Sequence, residues 1–313
     1  MGLSIGVDIG GTKIAAGAID ESGTIVEQQQ KHTPATDPAG IAAVVAELVN
    51  ALKRNHDIDA VGIGAAGFVD KGRSTVLFAP NIRWADEPLA ERVRSQVDLP
   101  VVIENDANAA AWGEFRFGAG YDVDDLLLVT VGTGIGGGVV QDGQLNRGGF
   151  GVAGEIGHLR MVPAGIRCGC GQYGCWEQYG SGRALVREAQ DRIRAGLDMS
   201  KPLSDLVGGD PERITGPMVT EQAQAGDPLS AMLLADVGRW LGEGIASLAA
   251  VLDPAVVAIG GGVGAAGDLL MEPATLAFLR ALPATQHRPR AELRLATLGN
   301  TAGMIGAADL ARR

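Results

Sequence analysis

LSIGVDIGGTKIAAGAI, Leu3 to Ile19, decides how the rest of the chain is read. LSIGVD (3–8) reads as a strand, GGTK as a tight turn and IAAGAI (14–19) as a returning strand. The rhythm recurs in LLLVTV (126–131), the glycine turn GTGIGGG (132–138) and a strand at Val139–Gln141. A strand, glycine turn and strand used twice predict two similar α/β domains facing each other across a cleft.

Outward from the first unit, Thr24–Gln30 extends a meander. Residues 40–54 follow as a helix, with Ile41, Val44, Val45, Leu48 and Leu52 at helical spacing. AVGIGA (60–65) is a buried strand running into Gly67, PNIRW (80–84) a turn and Leu89–Val97 a helix. Val101–Ile103 is a short buried strand ending at Glu104-Asn105-Asp106. Strands that end in Gly- or Asp-bearing loops predict an α/β domain with a mixed sheet. Further helices are expected after Asp106 and at 183–195, 229–252, 268–281 and 301–311, and strands at 256–259 and 292–298. With no low-complexity linker, the domain boundaries fall near 108 and 298. The expected division is a small domain 1–108, completed by the C-terminal helix 299–313, and a large domain 109–298.

The composition is that of a globular protein: 313 residues, 46% hydrophobic and 20% charged. A net charge of −11 argues against a nucleic-acid or anionic-membrane surface. The N-terminus lacks a basic region, Asp8 interrupts its apolar run, and no stretch approaches 18 uninterrupted apolar residues. The expectation is no signal peptide, no membrane span and a cytoplasmic location.

Three glycine clusters carry candidate chemistry. At Asp8-Ile9-Gly10-Gly11-Thr12-Lys13 a strand ends in a magnesium-capable carboxylate. Two glycines then expose backbone N–H groups, and a hydroxyl and an ammonium follow, which suits a phosphate. The plain alternative is a hairpin turn. Gly132 to Gly137 matches G-x-G-x-x-G, but a strand follows where a dinucleotide fold needs a helix. A second phosphate-facing hairpin, carrying Thr133 and Gly134, remains. Gly260-Gly261-Gly262 ends a buried strand, where Gly261 and Gly262 either pack flat on an adenine or ribose or serve close helix–strand packing. Asp106 reads either as a helix N-cap or as a general base taking a proton from an attacking hydroxyl.

All three cysteines fall in GEIGHLRMVPAGIRCGCGQYGCWEQYGSG, Gly154 to Gly182. His158, Cys168, Cys170 and Cys175 give His-x9-Cys-x-Cys-x4-Cys, a Cys₃His set suited to tetrahedral Zn²⁺. Four protein ligands leave no open position, so the zinc is expected to be structural. Glu155 and Glu177 bracket the cluster as carboxylates able to accept hydrogen bonds from sugar hydroxyls. The second ring nitrogen of a ligated His158 also needs a partner.

Together, DIGGTK (8–13), ENDANAAAWGE (104–114), VGTGIGGG (131–138) and GEIGH…CGCGQYGCWEQYGSG (154–182) resemble the ROK family of sugar kinases and repressors, most closely its bacterial glucokinases. The resemblance implies the actin-like ATPase fold of hexokinases, with two α/β domains around a cleft and the C-terminal helix returning to the first. It implies ATP-dependent phosphorylation of glucose at the 6-hydroxyl, with Mg²⁺, ATP and a structural Zn²⁺. A homodimer or homotetramer is also expected, with the long apolar helix 229–252 either at a dimer face or, more plainly, in the core. Carried over by motif, Asp106 would be the base and Asn105 a sugar ligand. Glu155, His158 and Glu177 would bind the sugar, with Gly67 and Asn81 beside it. Gly10, Gly11, Thr12, Lys13, Thr133 and Gly134 would line the phosphates. The family's repressors carry a DNA-binding segment before DIGGTK, whereas seven residues precede Asp8 here. Rival readings are a kinase for fructose, allose, N-acetylmannosamine or N-acetylglucosamine, polyphosphate as donor, or a non-catalytic sugar sensor.

Overall fold

The apolar runs of the N-terminal third form one mixed sheet. The computed structural model describes residues 2–34, 37, 39–79 and 82–313. β1 (Leu3–Ile9), β2 (Lys13–Ile19) and β3 (Ile25–His32) form an antiparallel meander. After α1 (Gly40–Lys53), β4 (Ile58–Ala65) pairs parallel to β1. β5 (Phe68–Val69), β6 (Val76–Ala79) and β7 (Trp84–Glu87) make a separate antiparallel sheet; after α2 (Leu89–Val97), β8 (Val101–Asn105) pairs parallel to β4. The order is β3-β2-β1-β4-β8. Asp8 lies opposite Gly64, and Gly64 opposite Glu104, so the carboxyl ends of the three parallel strands share one edge. Ligands of α/β sheets bind outside that edge.

The chain continues through α3 (Asp106–Phe117), β9 (Leu126–Val131), β10 (Ile135–Gln141), β11 (Gln144–Leu145), α4 (Glu177–Gly180), α5 (Gly182–Arg194), α6 (Lys201–Leu206) and α7 (Gly216–Gln224). α8 (Pro228–Leu252), β12 (Val256–Gly260), α9 (Asp268–Ala281), β13 (Glu292–Leu295) and α10 (Ala302–Ala311) complete it. The second five-stranded sheet has the order β11-β10-β9-β12-β13. Two compact units result. The first comprises Met1–Leu128, Gly137–Gly154 and Ala296–Arg313, the second Val129–Gly136 and Glu155–Leu295.

In the first unit, α1 buries Ile41, Val45, Leu48, Val49 and Leu52 in the core that also holds Ile5, Val7, Val61 and Ile63 of the sheet. α10 also lies on this sheet, packing Met304, Ile305 and Ala308 against Ala15 and Ile19 and leaving no room for a side chain at two glycines. A Cβ on Gly6 would sit 1.8 Å from the Met304 carbonyl oxygen, and one on Gly62 1.8 Å from that of Ala307. α3 packs on α10 equally tightly: a Cβ on Gly306 would lie 1.8 Å from the Ala109 carbonyl oxygen. The buried Glu114 fastens this corner, accepting from the backbone N–H groups of Ala119 (2.8 Å), Thr297 (3.1 Å) and Leu298 (2.8 Å).

Several elements differ from the sequence expectation. This glycine packing keeps α3 in the first unit, so that unit runs past residue 108 and also takes in 137–154. β10 begins at Ile135, four residues before the expected strand, with Gly136–Gly138 inside it. The reason at Gly138 is α3, because a Cβ there would lie 2.5 Å from Ala111 Cβ. The sheet β5-β6-β7 was not expected, and Trp84, expected in a turn, begins β7. Pro80 and Asn81 lie outside the described residues.

In the second unit α8 and α9 meet along glycines, a Cβ on Gly242 falling 2.1 Å from the Ala274 carbonyl oxygen. Asp227 caps the start of α8, its carboxylate accepting from Ser230 N (2.8 Å). Among the described residues, no helix is long and apolar enough to cross a membrane.

Candidate active site

The first unit gathers Asp8, Asn105 and Asp106 at the carboxyl edge of its sheet. Asn105, not Asp106, is the N-cap of α3: its Oδ1 accepts from Asn108 N (3.0 Å) and its Nδ2 donates to the Gly67 carbonyl (3.1 Å). The cap reading of Asp106 is thereby removed, leaving its carboxylate in the first helical turn. Its Oδ1 accepts from Ala107 N at 2.9 Å. Burial pushes the Asp106 carboxyl above the usual carboxylate range, against the lowering effect of that N–H. Burial and then the Asp106 charge raise Asp8 to about 6, with Lys13 opposing. The two carboxylates therefore feel each other, and the α10 turn at Gly303 lies beside both: a Cβ there would be 3.7 Å from Asp106 O and 4.0 Å from Asp8 Oδ1.

The turn Gly10–Lys13 is the expected hairpin, closed by Gly10 N donating to Lys13 O (3.0 Å). Thr33 fixes it from outside, through Oγ1 to Gly10 O (2.6 Å) and N to Thr12 O (3.0 Å). Gly11, Thr12 and Lys13 are exposed, and a Cβ on Gly11 would meet nothing within 4 Å. The missing side chain there leaves backbone open to an approaching anion. At Gly67 the glycine has a fold reason instead. Its φ is +106°, and a Cβ would lie 2.3 Å from the Phe78 carbonyl oxygen.

The second unit holds the cysteine loop. His158 closes the 3₁₀ turn Ile156–His158, and the loop folds back through Met161 N (2.9 Å) and Val162 N (3.2 Å), both donating to Gly174 O. The four ligand atoms of His158, Cys168, Cys170 and Cys175 lie within 4.8 Å of one another. Cys170 Sγ and Cys175 Sγ are 3.7 Å apart, as are Cys168 Sγ and His158 Nδ1. Tetrahedral Zn–S and Zn–N bonds require edges of about 3.8 and 3.6 Å, so this donor set fits zinc. Burial pushes the Cys168 thiol up to about 12 and raises that of Cys175 as well, so their thiolates need a cation opposite them. The other ring nitrogen, His158 Nε2, points toward Glu155, 3.9 Å from its Oε2.

One buried side chain pins this loop. Trp176 is fully buried, its Nε1 donates to the Trp240 carbonyl of α8 (2.7 Å), and Gly244 of α8 leaves room for its ring. The next residue is Glu177. Its Oε1 accepts from Cys168 Sγ (3.0 Å) and Gln178 Nε2 (3.2 Å), and its Oε2 would lie 2.5 Å from a Cβ on Gly134. Glu177 thus rests on the Gly132–Gly134 turn, which is also tied to α5 by Gly182 N donating to Gly132 O (2.8 Å).

Beside that turn is a largely apolar cavity of about 420 Å³, lined by Thr133, Leu185, Val186, Pro217, Thr220, Gly262 and Val263 among others. Its size and lining suit a flat heterocycle. The two glycines proposed there from sequence separate. Gly261, at φ +88° and with Val131 backbone 2.5 Å from a Cβ, is a packing glycine, whereas Gly262 faces open space. Sequence reasoning missed the walls from α5 and α7. The available signal was Thr215-Gly216-Pro217, a helix start that brings Pro217 and Thr220 together.

Comparison with known proteins extends these observations. A profile of the ROK family matches residues 4–313. A glucokinase of Streptomyces coelicolor is 50% identical over 312 residues, covering 100% of this chain and 98% of the relative. Among solved structures, a ROK family glucokinase from Streptomyces griseus in complex with glucose and AMPPNP superposes with a TM-score of 0.89 at 51% identity, covering 99% of each chain. The ROK hexokinase of Thermus thermophilus gives 0.84 at 36%, covering 99% of this chain and 98% of that one.

Proposed function

Because the chain belongs to the ROK family, we infer that it is a glucokinase, transferring the γ-phosphoryl group of ATP to the 6-hydroxyl of glucose. Its fold is the actin-like ATPase fold of that family. The observation that carries the activity is full-length identity of about one half to glucokinases, one of them bound to glucose and an ATP analogue.

The residue roles are part of the proposal. The 6-hydroxyl gives its proton to Asp106 and attacks the γ-phosphorus in line, while ADP leaves. The raised Asp106 carboxyl and its fixed place in the first turn of α3 support this role, since a base closer in pKa to its partner transfers a proton more readily. Asn105, Glu155, His158 and Glu177 hold the sugar hydroxyls, with Gly67 and Asn81 beside them. The open backbone of Gly11, with Gly10, Thr12, Lys13, Thr133 and Gly134, takes the phosphates. The cavity at Gly262 takes the adenine. A magnesium ion accompanying ATP neutralises phosphate charge, and Asp8 is the carboxylate suited to it. Zinc held by His158, Cys168, Cys170 and Cys175 supplies rigidity and no chemistry, keeping Glu155 and Glu177 at fixed places. Thiols that serve as ligands suit the reducing cytoplasm. The assembly proposed with this reading is a homodimer or homotetramer.

An ADP-release assay across glucose, mannose, fructose, N-acetylmannosamine and N-acetylglucosamine, with ATP and then polyphosphate as donor, tests the reading. Glucose with ATP should give the highest kcat/KM. Preference for an N-acetylhexosamine, or no turnover, would overturn it.

A further inference from the structure

The side chain before Asn105-Asp106 is a carboxylate buried at this edge of the sheet. Glu104 is 1% exposed. Its Oε1 accepts from Asn105 N at 3.0 Å and from Asn108 Nδ2 at 3.3 Å. Its Oε2 pairs with Arg147 Nε at 2.8 Å and Arg73 Nε at 3.7 Å. Arg147 donates from its other two nitrogens to the carbonyls of Lys71 and Asp70, each at 3.0 Å, while its Nε meets Glu104 as an ion pair.

These contacts bear on two stretches that supply sugar ligands. One is Asn105-Asp106, held through the Asn105 N–H. The other is Arg147 to Gly154, the segment leading directly into Glu155. Arg147 anchors its start. At its end, Gly154 has φ +99°, and a Cβ there would lie 2.9 Å from Gly137 O and 3.2 Å from Asn108 Oδ1. Asn108 is the same side chain whose Nδ2 bonds Glu104. One buried carboxylate therefore touches the turn that carries Asp106, the Arg147 side chain that anchors the start of the segment before Glu155, and Asn108, which lies beside that segment's end.

We propose that Glu104, acting with Arg147, is a positioning residue for phosphoryl transfer, fixing the Asn105-Asp106 turn against the 147–154 segment. The proposal rests on Asp106 and Glu155 serving the sugar as set out above. A bulk structural role predicts only lost stability. A positioning role predicts that kcat and glucose KM change while ATP KM does not, because the proposed ATP contacts lie on other segments.

The test uses full-length enzyme with Glu104→Gln, Arg147→Met and the double variant, each assayed well below its own thermal midpoint. Each single variant should lower kcat/KM for glucose by roughly 10–100-fold, since a 1 Å misplacement costs about that much, with ATP KM within about twofold of wild type. If the pair acts as a unit, the double variant loses no more than the worse single variant. Arg147→Lys should not rescue, because an ammonium cannot make the forked contacts to Lys71 and Asp70. Should Glu104→Gln fail to fold, Glu104→Asp and Arg147→Met carry the same comparison. Wild-type kinetics in the variants, equal loss for ATP and glucose, or losses that multiply in the double variant overturn the inference. Wild-type enzyme inactive with every sugar overturns both this inference and the proposed function, whereas active wild type beside unaffected variants overturns this one alone.

Discussion

Gly244→Ala tests whether the cysteine loop is held from beneath. A Cβ at residue 244 would lie 2.2 Å from Trp176 Cε2 and 2.4 Å from Cζ2, so the ring must retreat by more than 1 Å. It has little room, being fully buried and tied by Nε1 to the Trp240 carbonyl at 2.7 Å. Overpacking of this kind costs about 1–3 kcal/mol, and loss of the indole hydrogen bond about 1 kcal/mol more. Alanine returns about 1 kcal/mol as the better helix former. The net is a loss of about 1–3 kcal/mol, or roughly 2–10 °C in Tm. The functional effect should be larger than the stability effect. Trp176 sits between Cys175 and Glu177, so a ring displaced by about 1 Å should raise glucose KM by roughly 10–100-fold. Thermal unfolding, glucose and ATP KM, and zinc released to a chromogenic chelator would be measured together, with the exposed Ser247→Ala on the same helix as control. Lowered Tm with unchanged glucose KM and zinc retention would refute the pin. Unchanged Tm would refute the steric reasoning itself.

Other expectations follow from the same geometry. Asp106→Asn should lower kcat by about 10²–10⁴ while calorimetry still detects glucose binding; an unchanged kcat would remove Asp106 as the base. Cys168→Ala should lower the zinc-to-protein ratio measured by atomic absorption and weaken glucose binding, and a zinc-free variant with full activity would defeat the clamp. With Asp8 raised to about 6, kcat/KM should fall as pH drops through about 6, because both carboxylates act ionised; a limb near pH 4 would contradict that. The same shift has the opposite sign for stability. The folded state holds the Asp8 proton more tightly than the unfolded chain, so stability is lost as pH rises from about 4 to 6. Asp8→Asn should therefore gain up to about 3 kcal/mol at pH 7 while losing turnover, as read by urea unfolding. Glu114→Ala strands three backbone N–H groups and should cost at least about 3 kcal/mol, seen as a lower urea midpoint.

The convergence of His158, Cys168, Cys170 and Cys175 was legible because the four residues are close in sequence, and spacing alone constrains the geometry. The Gly10–Lys13 hairpin was legible for the same reason. Glycines were harder to read. Gly136–Gly138 read as part of a turn and Gly261 as either ligand-facing or packing backbone, and Gly138 and Gly261 serve close packing. Sequence does not separate those causes, since both demand the absence of a Cβ. Asn105 and Asp106 were placed together, but which of them caps α3 depends on side-chain direction, which adjacent residues do not reveal. Glu104 and Glu114 were quoted within a motif without a role, because their partners Arg147, Thr297 and Leu298 are distant along the chain. The strands of β5-β6-β7 are two to four residues long, too short for periodicity to register.

The seating of α10 on Gly6, Gly62 and α3 orders events during synthesis. Its partners are translated early, but α10 follows Gly113 by roughly 190 residues. At ordinary elongation rates that is a delay of about 10–40 s. Throughout it, the nascent first unit lacks the helix that covers the glycine-lined face of its sheet, while the whole second unit emerges and can collapse. A lesion near the C-terminus would therefore act as a folding defect of the segment made first.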